Sequence, residues 1–267
     1  MQKLNLKRVK HAKINHNFEA TKHLVFKSTN FNLSSLMYRF LTLILLLSFS
    51  SLFCQTSIGD LKEISEKIYG PDNVLINGSS YVISHPSANG NPFLGDNKFT
   101  PSTINLKGRS FNNVLIKYDI EFQMVILKVD NSYGSKIITL RDNYIKDFNL
   151  HNKHFINLKE KGINDKSIKF LELVYDGSFI FGNYYSKSFL SIYSNKYPNG
   201  KYTKTKVSHY LFLNNKKINI KNKRDLLLVF PEHKHDIKKF IKKNKIKFRK
   251  ATNADYFKIM HYCDEFE

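Results

Sequence analysis

From Tyr81 to Leu213 the chain is written in short apolar runs, rich in Ile, Val, Phe and Tyr, with turn-forming residues separating most of them. Runs of this composition read as β-strands. The pattern predicts strands at Tyr81–Ser84, Ser102–Leu106, Asn113–Ile120, Phe122–Val129, Lys136–Leu140, Tyr144–Leu150 and His154–Leu158. It continues through Ile168–Tyr175, Phe179–Tyr184, Phe189–Tyr193, Lys201–Val207 and Tyr210–Leu213. Asn77-Gly78 signals a turn before the first strand, and His85–Gly95 carries too many breakers for regular structure. Asp176-Gly177 and Asn199-Gly200 are the strongest hairpin signals, since both residues of each pair tolerate positive φ.

Helical periodicity flanks this region. Ile58, Leu61, Ile64 and Ile68 form one apolar face, stopped by Gly70-Pro71. At the other end, Lys223–Phe230 predicts a short helix, and Pro231 suits the first position of the next. Within Glu232–Asn244, Ile237, Phe240 and Ile241 make a narrow apolar stripe. Thr252-Asn-Ala-Asp255 has the spacing of a capping box and predicts a last helix through Phe257, Met260 and Phe266. No strand alternates regularly with a helix of about 10 to 15 residues, which disfavours a doubly wound α/β enzyme. The expected fold class is α+β: an antiparallel β-meander (a curved sheet, partly open barrel or sandwich) with C-terminal α-helices.

One stretch breaks the pattern. Met37–Gln55 has a basic start at Arg39, an almost unbroken apolar run from Phe40 to Phe49, then serines leading to Cys54 and the polar Gln55. That order is the order of an export signal. A core helix would carry a polar stripe, and a membrane span needs about 20 predominantly apolar residues; this run does neither. The cleavage region is Leu52, Cys54 and Gln55, with Leu52 larger than such a site prefers. Lipidation of Cys54 is a competing expectation, against which Leu52 and Phe53 stand where small residues belong. The reading is therefore an exported protein, periplasmic or secreted. Residues 37–54 form the signal, and 55–267 form a single domain with a helical tail from about 222. Residues 1–36 carry seven Lys/Arg against the single acid Glu19, a net charge of +6. They read as a basic arm, or as a stretch outside the protein if translation starts at Met37.

Charge and cysteines refine this picture. Of the formal +21, +14 falls after the signal, and Lys216–Lys250 alone holds 14 Lys/Arg against Asp225, Glu232 and Asp236. Lys, Asn, Ile, Phe and Tyr are enriched together, as an AT-rich genome would give, so compositional drift is a sufficient origin for the basic segment. On the helix after His233, Lys238, Lys239, Lys242 and Lys243 are candidate contacts to an anionic membrane surface or polymer. The narrow apolar stripe argues instead for a solvated face docked on its own sheet. With Cys54 removed, Cys263 would be the only thiol and no intramolecular disulfide could form.

Candidate chemistry is sparse. There is no G-x-S-x-G, H-E-x-x-H or phosphate-cradling glycine loop. His151 with His154, and His233 with His235, lack the third and fourth ligands a zinc site needs. Asp119, Glu121, Asp130, Asp142, Glu172 and Asp176 are the possible acids of a hydrolase, though carboxylates at strand ends are usually turn formers. No catalytic, cofactor-binding or metal-binding residue is assigned.

Asn77-Gly-Ser-Ser-Tyr81, Asn91-Pro-Phe-Leu94, Val114-Leu-Ile-Lys-Tyr-Asp-Ile120, Ile137-Ile-Thr-Leu140 and the Lys-rich tail together resemble a group of uncharacterised small exported proteins of Bacteroidetes-type bacteria. The resemblance spans roughly residues 55 to 266 and rests on loose strand patterns. It implies a β-rich cell-envelope protein without an established activity, and carries over no catalytic residue. The expected function is a non-catalytic binding or structural module meeting envelope components. The alternatives are a carboxylate-dependent hydrolase and a basic binder of anionic lipid or polymer. Nucleic acid is not an expected partner of an exported protein.

Overall fold

Most strands that follow one another in sequence lie next to one another in space, because short turns leave each strand its predecessor as the nearest unpaired edge. The computed structural model describes residue 75, residues 77–131 and residues 134–267. The leader, the signal with Leu52, Cys54 and Gln55, and the helix expected from Ile58 to Ile68 lie outside the described residues. All described residues fall in the unit Asp60–Glu267.

The first half of the sheet comprises β1 (Gly78–Ser80), β2 (Thr100–Leu106), β3 (Arg109–Asp119), β4 (Met124–Asn131), β5 (Gly134–Leu140), β6 (Ile145–Leu150) and β7 (Lys153–Asn157). The second half comprises β8 (Phe170–Asp176), β9 (Ile180–Ser186), β12 (Lys206–Leu213) and β13 (Lys216–Asn219). A separate ribbon, β10 (Phe189–Leu190) with β11 (Lys201–Tyr202), is inserted between β9 and β12. The 11 strands pair antiparallel in the order β1-β5-β4-β3-β2-β6-β7-β8-β9-β12-β13, an open meander rather than a closed barrel. Three helices follow: α1 (Lys223–Val229), α2 (Lys234–Lys243) and α3 (Asn253–Asp264). The expected α+β class is the observed one.

Several expected elements move. The first strand is Gly78–Ser80, not Tyr81–Ser84. A Cβ on Gly78 would collide with the Thr139 carbonyl oxygen, so glycine permits the close pairing; Tyr81 keeps one more ladder bond, its N–H donating to the Ile137 carbonyl at 3.2 Å, while its hydroxyl reaches Asp119. Asn199-Gly200 does not make a tight hairpin. Gly200 instead lies against the Phe189 ring, at the end of a longer β10–β11 loop. The expected strand Lys201–Val207 is split between β11 and the start of β12, and Phe189–Tyr193 contracts to β10. Strand β13 was not anticipated, and α2 begins at Lys234, three residues beyond Pro231.

The alternation of side chains across β9 divides the interior. Phe181 and Tyr185 face one side of the sheet, and Ile180 the other. On the first side a ring cluster fills the core of the first half: Tyr118 lies 5.3 Å from Phe148, and Phe148 stacks 4.9 Å from Phe155. Further along the same side, α1, α2 and α3 cover Phe179, Phe181 and Leu211 with Leu226, Ile237, Ile259 and Met260. Burying one such aliphatic side chain stabilises by about 1.5–3 kcal/mol, so the basic tail is an integral layer of the fold. The opposite side is closed by Leu158, Ile163 and Ile168 from the β7–β8 connection.

Gly182 sits where β9 meets β8 most closely. A Cβ there would strike the Glu172 carbonyl oxygen and lie 2.7 Å from the Leu171 side chain. Gly182→Ala is therefore expected to destabilise the protein by about 2–3 kcal/mol, read as a fall in the urea midpoint at unchanged slope.

Candidate functional site

The most heavily bonded polar group of the interior is Glu172 on β8, 2% exposed. Its Oε2 accepts from Asn183 Nδ2 and Tyr185 OH, both at 2.6 Å. Its Oε1 accepts from Lys153 Nζ at 3.0 Å and Asn253 Nδ2 at 2.9 Å. With the Asn183 amide nitrogen turned to the carboxylate, its oxygen accepts from His209 Nδ1 at 2.7 Å. Burial alone would raise the Glu172 carboxyl. Hydrogen bonds from Tyr185, Asn183 and Lys153, with the Lys153 charge, bring it below the ordinary glutamate value instead. Burial lowers His209, which keeps that imidazole neutral. Every acceptor position on the carboxylate is occupied from within the chain.

Asp119, at the end of β3, is 1% exposed. Its Oδ1 accepts from the Glu121 and Phe122 backbone N–H groups at 2.9 and 3.1 Å, and its Oδ2 from Tyr81 OH at 3.0 Å. Burial outweighs these bonds and holds its carboxyl above the usual aspartate range. Glu121 Oε1 accepts from the Phe189 N–H at 3.0 Å, and the Tyr202 hydroxyl is buried beside the Glu121 carboxylate, so that burial, with the charge and hydrogen bonding of that carboxylate, raises it. The irregular segment 85–95 is tied down beside them. Lys187 Nζ donates to the Asn91 and Phe93 carbonyls at 3.0 and 2.7 Å, and His85 stacks on Phe189 at 3.6 Å. Tyr81 and Asn91–Leu94 thus serve to close the end of the sheet.

The fold disperses the remaining candidate acids. Asp130 pairs with Lys128 at 3.2 Å, Asp142 with Lys169 at 3.1 Å, and Asp176 with Lys161. Only Asp119 and Glu121 come together. His151 and His154 are exposed on the rim of one shallow cleft, and His154 lies 3.5 Å from Asp147. His233 stacks on Phe266 at 4.0 Å and His235 is exposed. Among the described residues no group of three or more His, Cys, Asp or Glu could hold a metal ion, and no helix is long and apolar enough to cross a membrane. Cys263 is fully buried in α3, and burial pushes its thiol up to about 12.

A second arrangement was not legible as a site. Between α1, α2 and the 3₁₀ turn Phe248–Lys250 lies an open cleft of about 780 Å³, backed by Phe248. Lys223, Arg224, Lys238, Lys247 and Arg249 line it. All five are exposed, and none is paired with a carboxylate among the described residues. Asp225 of α1 accepts from the Lys221 and Asn222 N–H groups at 2.8 and 3.1 Å and forms no ion pair with the cations of the cleft. Of the four lysines expected to meet an anionic surface, Lys238 lines this cleft; Lys239, Lys242 and Lys243 are exposed outside it. The charge run 216–250 carried the signal, but not the convergence.

No protein-family model, curated protein or solved structure matches the chain.

Two outcomes follow from these environments. A depressed carboxyl contributes stability that is present above the ordinary glutamate value of 4.5 and is lost as pH falls below it. Glu172→Gln should therefore cost about 1.5–3 kcal/mol at neutral pH, and the deficit should shrink in unfolding measurements made below that value. The Cys263 thiol should resist iodoacetamide in the native protein at neutral pH and react fully in denaturant, as mapped by peptide mass spectrometry.

Proposed function

We propose that the protein is an exported module of the cell envelope that binds or supports other components without catalysing a reaction. The observation that carries this reading is the engagement of its buried acids. Glu172 and Asp119 spend their oxygens on hydrogen bonds that hold strands and helices together. A catalytic carboxylate needs an oxygen within reach of a substrate proton, and these face the interior. The second reading, a carboxylate-dependent hydrolase, draws on Asp119 and Glu121, the two candidate acids that come together. It requires the 85–95 segment to move off the sheet before either acid meets a substrate.

Export is supported by the order of charge, apolar run and small residues from Met37 to Gln55. Intact mass and N-terminal sequencing of protein from fractionated native cells test it. A soluble chain beginning near Gln55 is the expected result, and acyl chains on Cys54 would move the protein onto a membrane. A cytoplasmic chain retaining Met1 would overturn export.

A further inference from the structure

The geometry points to the cleft between α1, α2 and the 248–250 turn as a binding site for a compact oligophosphate, meaning a group with two or more linked phosphates. This deepens the binding-module reading and rests on it. Three features of the cleft carry the inference.

The first is uncompensated charge. Five cations, Lys223, Arg224, Lys238, Lys247 and Arg249, line one recess, and none is ion-paired with a carboxylate among the described residues. Like charges gathered without counter-charge repel, and a bound anion relieves that repulsion. The second is shape. Lys239, Lys242 and Lys243 project from α2 outside the cleft and suit a flat anionic surface, whereas a recess of about 780 Å³ admits a discrete group. To match five cations in that space a ligand must concentrate its charge, as linked phosphates do and isolated carboxylates do not. The third is the choice of cation. Arginine is scarce in this Lys-rich chain, yet two of the four arginines among the described residues, Arg224 and Arg249, line the cleft. The guanidinium fork meets phosphate oxygens in pairs, which a lysine point charge does not.

The same chemistry reaches the cleft from a soluble oligophosphate or from a lipid diphosphate headgroup, and calorimetric titration of the full chain separates them. Tripolyphosphate is the soluble probe, inorganic monophosphate its control. Phosphatidylcholine vesicles doped with a polyprenyl diphosphate are the lipid probe, with phosphatidylglycerol vesicles as a monophosphate surface. Binding to tripolyphosphate, to the diphosphate vesicles or to both is expected, weak for monophosphate and reduced by added salt. The exposed double variant R224Q/R249Q should weaken it at least about tenfold, while the charge-matched K136Q/K204Q should leave it unchanged. R224K/R249K, which keeps charge but loses the fork, should fall between wild type and R224Q/R249Q. Equal losses in the two glutamine double variants would overturn the site, as would no oligophosphate binding. Binding to phosphatidylglycerol vesicles alone would assign the basic surface to flat membrane contact and equally overturn it. Oligophosphate binding by a protein found in the cytoplasm would keep the cleft and remove the envelope reading.

Discussion

A single buried carboxylate links the two halves of this interior. Glu172 faces the same side of the sheet as both the aromatic core of the first half and the helical layer of the second, and it sits at their junction. Its four hydrogen bonds reach β7 through Lys153, β9 through Asn183 and Tyr185, and α3 through Asn253. A buried charge is weak support for stability in itself, because desolvation offsets the attraction. Its use here is positional. Asn253 is the first residue of α3, so satisfying Glu172 determines where that helix begins along β8. The register shift between Leu173 and Tyr175 then turns Tyr175 toward the same side, where its hydroxyl donates to Asp264 at 2.6 Å. Ser178 N–H donates to the other oxygen of Asp264 at 3.0 Å. The last helix is thereby pinned to the sheet at both ends.

Apolar periodicity revealed the meander because a half-buried antiparallel sheet depends on little else. Most predicted strands lie within two or three residues of β2 to β9, and the Thr252–Asp255 capping box forms as its spacing required. Turn chemistry was the weaker guide. The two-residue hairpins β2–β3, β6–β7 and β12–β13 turn at Lys107-Gly108, His151-Asn152 and Asn214-Asn215, with positive φ at every one of these residues. Only the first contains a glycine, and strand β13 went unseen because Asn-Asn is a fainter signal than Asn-Gly. Asn199-Gly200 carried the strong signal and formed a different structure. There, Gly200 closes the Tyr197–Gly200 turn with positive φ, and the absence of a Cβ also admits the Phe189 ring, but the pair does not sit at the centre of a two-residue hairpin.

Site chemistry was less legible than the fold, for a related reason. Residue types identify which groups ionise, but the fold decides which face one another. Asp119, Glu172 and Asp176 look alike in sequence; one closes a loop, one joins two cores and one pairs with Lys161 on the surface. The basic segment was plain from its composition, whereas its concavity was not. The five cations of the cleft come from α1, α2 and the region around the 248–250 turn, and their convergence follows from how those elements pack on α3. That packing is set by pairs such as Phe240 on Tyr262 at 4.2 Å, which no local pattern announces.

Compositional drift accounts for the abundance of lysine without accounting for where its charge goes unanswered. In the sheet and its connections five lysines are matched: Lys128 with Asp130, Lys153 with Glu172, Lys161 with Asp176, Lys169 with Asp142 and Lys217 with Asp165. In the helical layer three acids have other duties. Asp225 and Asp255 turn back to the N-terminal N–H groups of their own helices, and Asp264 reaches across to Tyr175 and Ser178. Each of these uses lowers the cost of an exposed helix end or anchors a helix to the sheet. The same three acids form no ion pair with the lysines and arginines of that layer among the described residues. The capping of the helices and the charge of the cleft therefore go together: the acids that hold this layer in place are not the partners of its cations.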